Sequence, residues 1–495
     1  MTSYNWMTGG RPVAPLGQDW LEPKSLTLGE VLSAVDGRLL IGNVKNKARG
    51  VSVNSRDLRP GELFVALAGP RFDGHDFVIR AFRKGACGAM VDEKKLAQLS
   101  LENGRTKAII AVPDTLTALG NMAAYLRRKF PLPLVAVTGS NGKSTTKEMI
   151  AAIFSVSRPT LKNPGNYNNL VGLPLTLFRI NNVHQLAVVE LGMNQPGEIK
   201  RLSEICQPDV AVITNIGPVH LEKLKTLDGV AEAKKEILVG LKESGIVVYN
   251  INDDYCRQFF AHCPYQTVTF GLDNPKADIS GKVFHQGGPR GLSAILDLGD
   301  DVIPVKLNSC GYHNLENALA AAAAAKSLGA DTADIQAGLE EFKPLERRSQ
   351  FRRLRGGIEI LDDSYNANPR SMEMTFRLLQ DISGGRRKLA LLADMCELGD
   401  YAEGAHRQLG KQVAQSGFDR LVYLGAFGEI VAEAAMKEGM PDKAIFLCSD
   451  HDQACQLLTQ LLEEGDLLLV KASRAMALER VVDALVGMLG AVVTN

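Results

Sequence analysis

The 495-residue sequence has no cysteine pairing of the kind that holds zinc or staples a secreted fold. Its eight cysteines (Cys87, Cys206, Cys256, Cys263, Cys310, Cys396, Cys448 and Cys455) are scattered, without a C-x-x-C pair. Neither a zinc site nor a disulfide framework is expected, and a reduced cytoplasmic setting is. Net charge is also missing, since Lys+Arg and Asp+Glu both count 56. A general nucleic-acid binder needs excess cation to displace counterions, so no nucleic-acid partner is expected. A small anionic ligand needs only a few local cations and stays open. No apolar run is long: "ALAAAAAA", just before Lys326, falls far short of the roughly 20 residues a membrane helix needs. The first 25 residues lack the apolar core of a signal peptide and read as a polar leader without an assigned role. No internal repeat is found.

What remains is ordinary globular material, 45% hydrophobic and 23% charged. The chain is too long for one core, and usual domain sizes suggest about three. Residues 1–110 hold the short strand candidates "GVSVNS", "ELFVAL", "CGAMVD" and "KAIIAV", separated by the loops "LRPG" and "GPRFDGHDF". From 111 to 345, Val/Ile-rich runs ("LVAVTG", "LAVVELG", "VAVITNIG", "IVVYNIND") alternate with stretches of helical spacing. Continuous apolar runs suit parallel strands covered on both faces, so this region is predicted to be a doubly wound α/β domain. The charged stretch "EEFKPLERRSQFRRLRGG" is expected to be a linker. From 346 to 495 the alternation resumes, with five strand candidates: "GIEILDDS", "KLALLADM", "RLVYLG", "KAIFLCS" and "DLLLVKAS". A second, smaller α/β domain of Rossmann-like type is expected there.

The stretch "VAVTGSNGKSTTKEM", Val135 to Met149, has the context of a phosphate loop: a β-run, a glycine turn, then a helix. Val137 stands where the general pattern has its first glycine. Gly139 and Gly142 would let the backbone approach phosphate oxygens, with amides at a helix N-terminus pointing at the anion. Lys143 adds a mobile cation, and the Ser144 hydroxyl can ligate Mg²⁺. A magnesium-nucleotide site also needs an acid at the end of a neighbouring strand, and Glu190, ending "LAVVE", offers one.

These residues resemble the Mur ligases, ATP-dependent amide-forming enzymes of peptidoglycan precursor synthesis. Their phosphate loop reads TGTNGKT or a close variant, so valine at 137 is the family's form. "NYNNLVGLPLTLF" (166–178), "ELGMNQPGEI" (190–199), "DDSYNANPRSM" (362–372) and "LADMCELGDYAEGAH" (392–406) carry the resemblance further. "YNANP" separates the branch that joins D-alanyl-D-alanine to UDP-N-acetylmuramoyl-tripeptide from its siblings. The likeness covers roughly residues 28–490.

The resemblance implies three domains: an N-terminal mixed α/β uridine-binding domain, a central phosphate-loop domain and a C-terminal Rossmann-like domain. It implies ATP as cofactor, two Mg²⁺ sites and a monomer. ATP would meet Thr138, Gly139, Ser140, Asn141, Gly142, Lys143, Ser144 and Thr145. His313 and Asn317 of "HNLEN", Arg348 of the linker, and Asp362, Tyr365 and Asn366 would complete that set. Lys143, Glu190, His220 and Lys234 would be catalytic. Ser144, Glu190, His220 and a carbamylated Lys234 would hold metal. Lys235 and Arg347 are the alternatives to Lys234 and Arg348 in register. Ser55, Arg56, Asn168 and Asn169 would contact the UDP-linked substrate, and the dipeptide pocket would lie mainly against the third domain. Two other functions remain open: a ligase adding another amine, including the folylpolyglutamate type, and a nucleotide switch that ligates nothing.

Overall fold

A computed structural model describes residues 25–99 and 107–490. The leader expected at 1–25 lies, apart from Ser25 itself, outside the described residues. The chain builds three main sheets in order.

The first sheet has five strands, in the order Arg38–Ile41, Ala108–Val112, Gly88–Asp92, Leu63–Val65, Val51–Ser52. The first pair is antiparallel and the rest are parallel. Its last strand in sequence, Ala108–Val112, spans the boundary expected at 110. Helix Thr115–Lys129 follows, capped by the Asp114 carboxylate accepting from Thr117 N and ended by Arg127, Arg128 and Lys129. An acceptor at one end and cations at the other suit the helix dipole. Leu119, Met122 and Leu126 of this helix join the first sheet's Val65, Met90 and Ile110 and the central sheet's Ala187 in one apolar cluster.

The central sheet has nine strands. Thr160–Lys162, Leu186–Glu190, Leu134–Thr138, Val210–Ile213, Ile246–Asn250, Gln266–Leu272 and Ile279–Gln286 are parallel neighbours. Leu292–Asp297 and Val302–Leu307 extend the sheet antiparallel. Every residue of Leu134–Thr138, Leu186–Glu190 and Val210–Ile213 is buried, which explains their unbroken apolar sequences. Leu134–Thr138 lies between Leu186–Glu190 and Val210–Ile213, so the chain leaves it toward one edge and later returns on its other side. Such a switch point opens a crevice at the carboxyl ends of the strands. Helix Tyr312–Ser327 packs on the phosphate-loop helix Lys143–Ser155. Its buried residues 318–325, all alanine except Leu319, let the two helices lie close.

The third sheet has six strands, in the order Gln350–Arg353, Glu359–Asp362, Leu467–Lys471, Lys388–Ala393, Arg420–Leu424, Ile445–Cys448. Alternate residues feed two separate cores: Leu361, Ala390, Leu392 and Leu469 on one face, Ile360, Leu389, Leu391 and Leu468 on the other. Five strands match the expected runs. The sixth, Gln350–Arg353, sits inside the stretch expected to be a linker and pairs antiparallel with Glu359–Asp362. Its arginines make it strand-like only in context: Arg353 pairs with Glu359 and Arg352 with Asp362, as suits a charged edge.

Candidate active site

The phosphate loop lies at the switch point. Val137 is fully buried within its strand, opposite Glu190 and Val212, so the loop proper begins after it. Gly139 has φ +147° and a Cβ there would lie 1.9 Å from Thr214 Oγ1. Gly142 has φ +81° and a Cβ there would lie 2.1 Å from Asn317 Oδ1. Both positions exclude side chains, one by a neighbouring strand and one by the alanine-rich helix. Asn215 fixes the turn by accepting from Ser140 N through its carbonyl and from Asn141 N through Oδ1. Lys143 Nζ donates back to Gly139 O (2.8 Å) and Ser140 O (3.1 Å). Burial lowers its pKa, with the Glu190 charge opposing.

Ser144 Oγ donates to Glu190 Oε2 at 2.6 Å, and Asn168 Nδ2 donates to Oε1 at 2.8 Å. Glu190 N is held by Asn163 Oδ1, whose own carbonyl accepts from the buried Lys147. Arg348 Nη2 reaches across from the C-terminal domain to Ser144 Oγ at 3.1 Å. Its guanidinium also stacks 4.0 Å from the Tyr365 ring centroid. These contacts occupy one cavity of about 380 Å³, lined from both the central and C-terminal domains.

His220 and Lys234 line the same cavity. His220 adopts φ +52°, and its Nδ1 meets Glu397 Oε2 of the C-terminal domain at 2.5 Å. That contact holds the Glu397 carboxyl below its usual range. Lys234 is 2% exposed, and burial pushes its ammonium well below the usual lysine range, with Lys143 adding to the effect. Lys235 points elsewhere, over the Phe259 ring. Arg347 likewise turns away from the cavity, to Glu479 and Asp483. Both register alternatives therefore fall outside it.

His313, Asn314 and Asn317 line the cavity from the alanine-rich helix. Burial lowers the His313 pKa to about 4, and Ser349 Oγ lies 3.4 Å from its Nε2. Asn317 Oδ1 accepts from Thr146 Oγ1, beside Gly142. Tyr365 and Asn366 also line the cavity. Asp362 does not: it is fully buried, with Oδ1 bonded to Ser364 and Oδ2 to Arg352. Its neighbour Asp363 takes that place, accepting from Ser349 N, Thr375 Oγ1 and Lys471 Nζ. Asn141 and Asn368 exchange side-chain hydrogen bonds across the domain interface at 2.7 and 3.3 Å.

Thr138 and Gly139 frame the loop without lining the cavity. Asn169 lines it while its Oδ1 accepts from Val171 N and Gly172 N at the start of a short helix. Ser55 and Arg56 are not brought to this cavity; they follow strand Val51–Ser52 in the first sheet, with Arg56 N donating to Asn54 Oδ1. Lining residues that the sequence reading did not name include Asp363, Lys471, Glu198 and Glu316. Lys471 carried a usable signal, a lysine closing the apolar run "LLLVK".

A phosphate loop, a buried acid at the next strand end and a second α/β domain closing on both define a nucleotide-using enzyme. Residues 47–127 match the Mur ligase family, catalytic domain; 137–325 the Mur ligase middle domain; and 347–474 the Mur ligase, glutamate ligase domain. UDP-N-acetylmuramoyl-tripeptide–D-alanyl-D-alanine ligase of Bacillus subtilis (strain 168) is 37% identical over 442 residues, 88% of this chain and 93% of its own. A crystal structure of MurF from Acinetobacter baumannii superposes with a TM-score of 0.83 at 30% identity, covering 94% of this chain and all of that one. MurF ligase from Thermotoga maritima in complex with ADP gives 0.76 at 30% identity, covering 89% and 98%. The chain belongs to the Mur ligase family, and it is an ATP-dependent ligase.

Proposed function

We propose that this protein joins D-alanyl-D-alanine to UDP-N-acetylmuramoyl-tripeptide. The peptide carboxylate attacks the γ-phosphorus of ATP and ADP leaves, giving an acyl phosphate. The dipeptide ammonium gives up one proton to solvent, the free amine attacks the acyl carbon, the C–O bond to phosphate breaks, and the nitrogen loses one further proton to the departing phosphate or water. Such a reaction gathers anionic oxygens without a protein nucleophile, so the enzyme's work is charge stabilisation and orientation.

The observation that carries this reading is the Ser144–Glu190 pair beside Lys143, in a cavity that Arg348 and Tyr365 complete from the other domain. Ser144 Oγ and the Glu190 carboxylate are hard oxygen donors that fit Mg²⁺. Among the described residues no group of three or more His, Cys, Asp or Glu side chains is arranged to hold a metal. Bound Mg²⁺ would neutralise phosphate charge, with Ser144 and Glu190 as its protein ligands and His220 at a second position. Lys143 would follow the transferred phosphoryl group, and Arg348 would orient the phosphates. Asp363 would accept from the ribose hydroxyls in the place first read for Asp362. Asn317 and His313 would border the base.

Lys234 suits carbamylation, because an amine must be neutral to add CO₂ and burial favours the neutral form. The carbamate would supply an anion facing the cavity. Ser55 and Arg56 would hold the uridine end on the first domain, with Asn168 and Asn169 nearer the peptide. Eight free cysteines fit a reduced cytoplasm, and the protein would act as a monomer. No described helix is long and apolar enough to cross a membrane.

Phosphate release measured over a panel of UDP-muramoyl-peptides and amines tests this reading. Release that requires both the tripeptide and D-alanyl-D-alanine supports it. Release with L-amino acids or glutamate in place of the dipeptide points to another ligase, and amine-independent turnover points to a switch.

A further inference from the structure

Four carboxylates line the cavity, and three are committed. Glu190 accepts from Ser144 and Asn168, Asp363 from Ser349, Thr375 and Lys471, and Glu316 is held by Asn250. The fourth is Glu198, 5% exposed, the first residue of helix Glu198–Cys206. Its Oε2 accepts from Asn194 N at 2.7 Å and so closes the loop after the Glu190 strand. Its Oε1 is buried without a hydrogen-bond partner. Among the described residues it is the one such atom belonging to a side chain of the cavity wall. Burial holds this carboxyl above its usual range, while the Asn194 and Gln195 backbone amides, and then the His220 and Lys223 charges, draw it down. A buried acceptor without a donor is unfavourable, and a bound cation with N–H donors would remove that penalty.

We propose that Glu198 is the subsite for the amine substrate, with Oε1 accepting a hydrogen bond from the primary ammonium of the incoming dipeptide. The inference rests on the ligase reading above and adds the place where the nucleophile is held. Glu198 follows Glu190 in the same strand-loop-helix unit, so both groups bear on one wall of one cavity. The phosphate-handling pair and the amine thus share a rigid frame, which shortens the search for an attacking geometry. Oε2 keeps its backbone bond to Asn194 throughout, so the loop fixes the carboxylate before the dipeptide arrives.

Glu198→Gln tests this, because an amide oxygen can still accept from Asn194 while the amide nitrogen turns a donor toward the ammonium. Steady-state phosphate release is measured with each of the three substrates varied in turn. The expected result is a rise of at least about tenfold in KM for D-alanyl-D-alanine, the loss of one charged hydrogen bond, with KM for ATP and for the UDP-tripeptide unchanged. A second measurement is a ratio and holds in any folded variant: competition by N-propanoyl-D-alanine, which has the dipeptide's shape without its ammonium. The wild-type enzyme should prefer the dipeptide, and Glu198→Gln should lose that preference. An unchanged dipeptide KM overturns the proposal. So does a rise confined to the UDP-tripeptide, or a shift in Mg²⁺ half-saturation with the dipeptide KM unmoved. Failure of the wild-type enzyme to release phosphate in response to the dipeptide refutes the ligase reading instead.

Discussion

Alanine at Gly142 perturbs the phosphate loop through two separable terms. The residue sits at φ +81°, where a Cβ costs about 1–2 kcal/mol. That Cβ would also lie 2.1 Å from Asn317 Oδ1, so Asn317 must swing away and release Thr146 Oγ1. A lost hydrogen bond of this kind is worth about 0.5–1.5 kcal/mol. Together they give about 2–3 kcal/mol against the competent loop, or about a 30- to 150-fold fall in kcat/KM for ATP. Gly439→Ala is the control: it shares a positive φ of +97°, yet nothing lies within 4 Å of its Cβ. It should lower the melting temperature and leave kcat/KM for ATP unchanged. The assay is phosphate release against ATP concentration, with melting measured in parallel. Gly142→Ala activity within about twofold of wild type would refute the argument that the loop needs this conformation.

Lys143→Ala should lower kcat by at least about a hundredfold, since no other side chain at that turn brings a cation to the phosphates; near-normal phosphate release would contradict this. Lys234→Ala should lose activity, and short carboxylic acids should restore part of it by standing in for the carbamate; a fully active variant removes Lys234 from the mechanism. His313 contributes to pH dependence with a definite sign. Its folded pKa is about 4 against an ordinary 6.5, so the unfolded chain takes up the proton first as pH falls. The stability of the neutral imidazole is complete above about pH 6.5 and is lost progressively toward pH 4, so His313→Gln should flatten that part of the melting-temperature profile.

The site was most legible where the chemistry is local in sequence. Thr138 to Thr145 are contiguous, running from a strand end through a turn into a helix, and Glu190 ends the adjacent apolar run, so spacing and strand type were enough to pair them. Doublets were harder, because one-residue register decides which side chain meets the cavity. Lys234 enters it while Lys235 covers Phe259, and Arg348 enters it while Arg347 pairs with Glu479. At Asp362–Asp363 the sequence reading named the first member, whereas the second lines the cavity. The last strand residue turns into its own loop and binds Ser364, leaving the next aspartate for the cavity. Strand Gln350–Arg353 was hidden by its arginines, whose partners Glu359 and Asp362 come from the neighbouring strand. The hairpin pair Leu292–Asp297 and Val302–Leu307 was missed as well, since each alternates buried and exposed residues and lacks the continuous apolar signature of the parallel strands. Glu198 lies in the quoted stretch "ELGMNQPGEI" but was given no role there, because an unpartnered oxygen is a property of its surroundings.

The central claim is that a peptide carboxylate is activated as an acyl phosphate and passed to a dipeptide amine. Placing ¹⁸O in the terminal carboxylate of the UDP-muramoyl-tripeptide tests it directly. With ATP and D-alanyl-D-alanine, mass spectrometry of the products should find one ¹⁸O in each inorganic phosphate, released in step with the UDP-linked pentapeptide. Phosphate that carries no label while the amide forms would contradict the account.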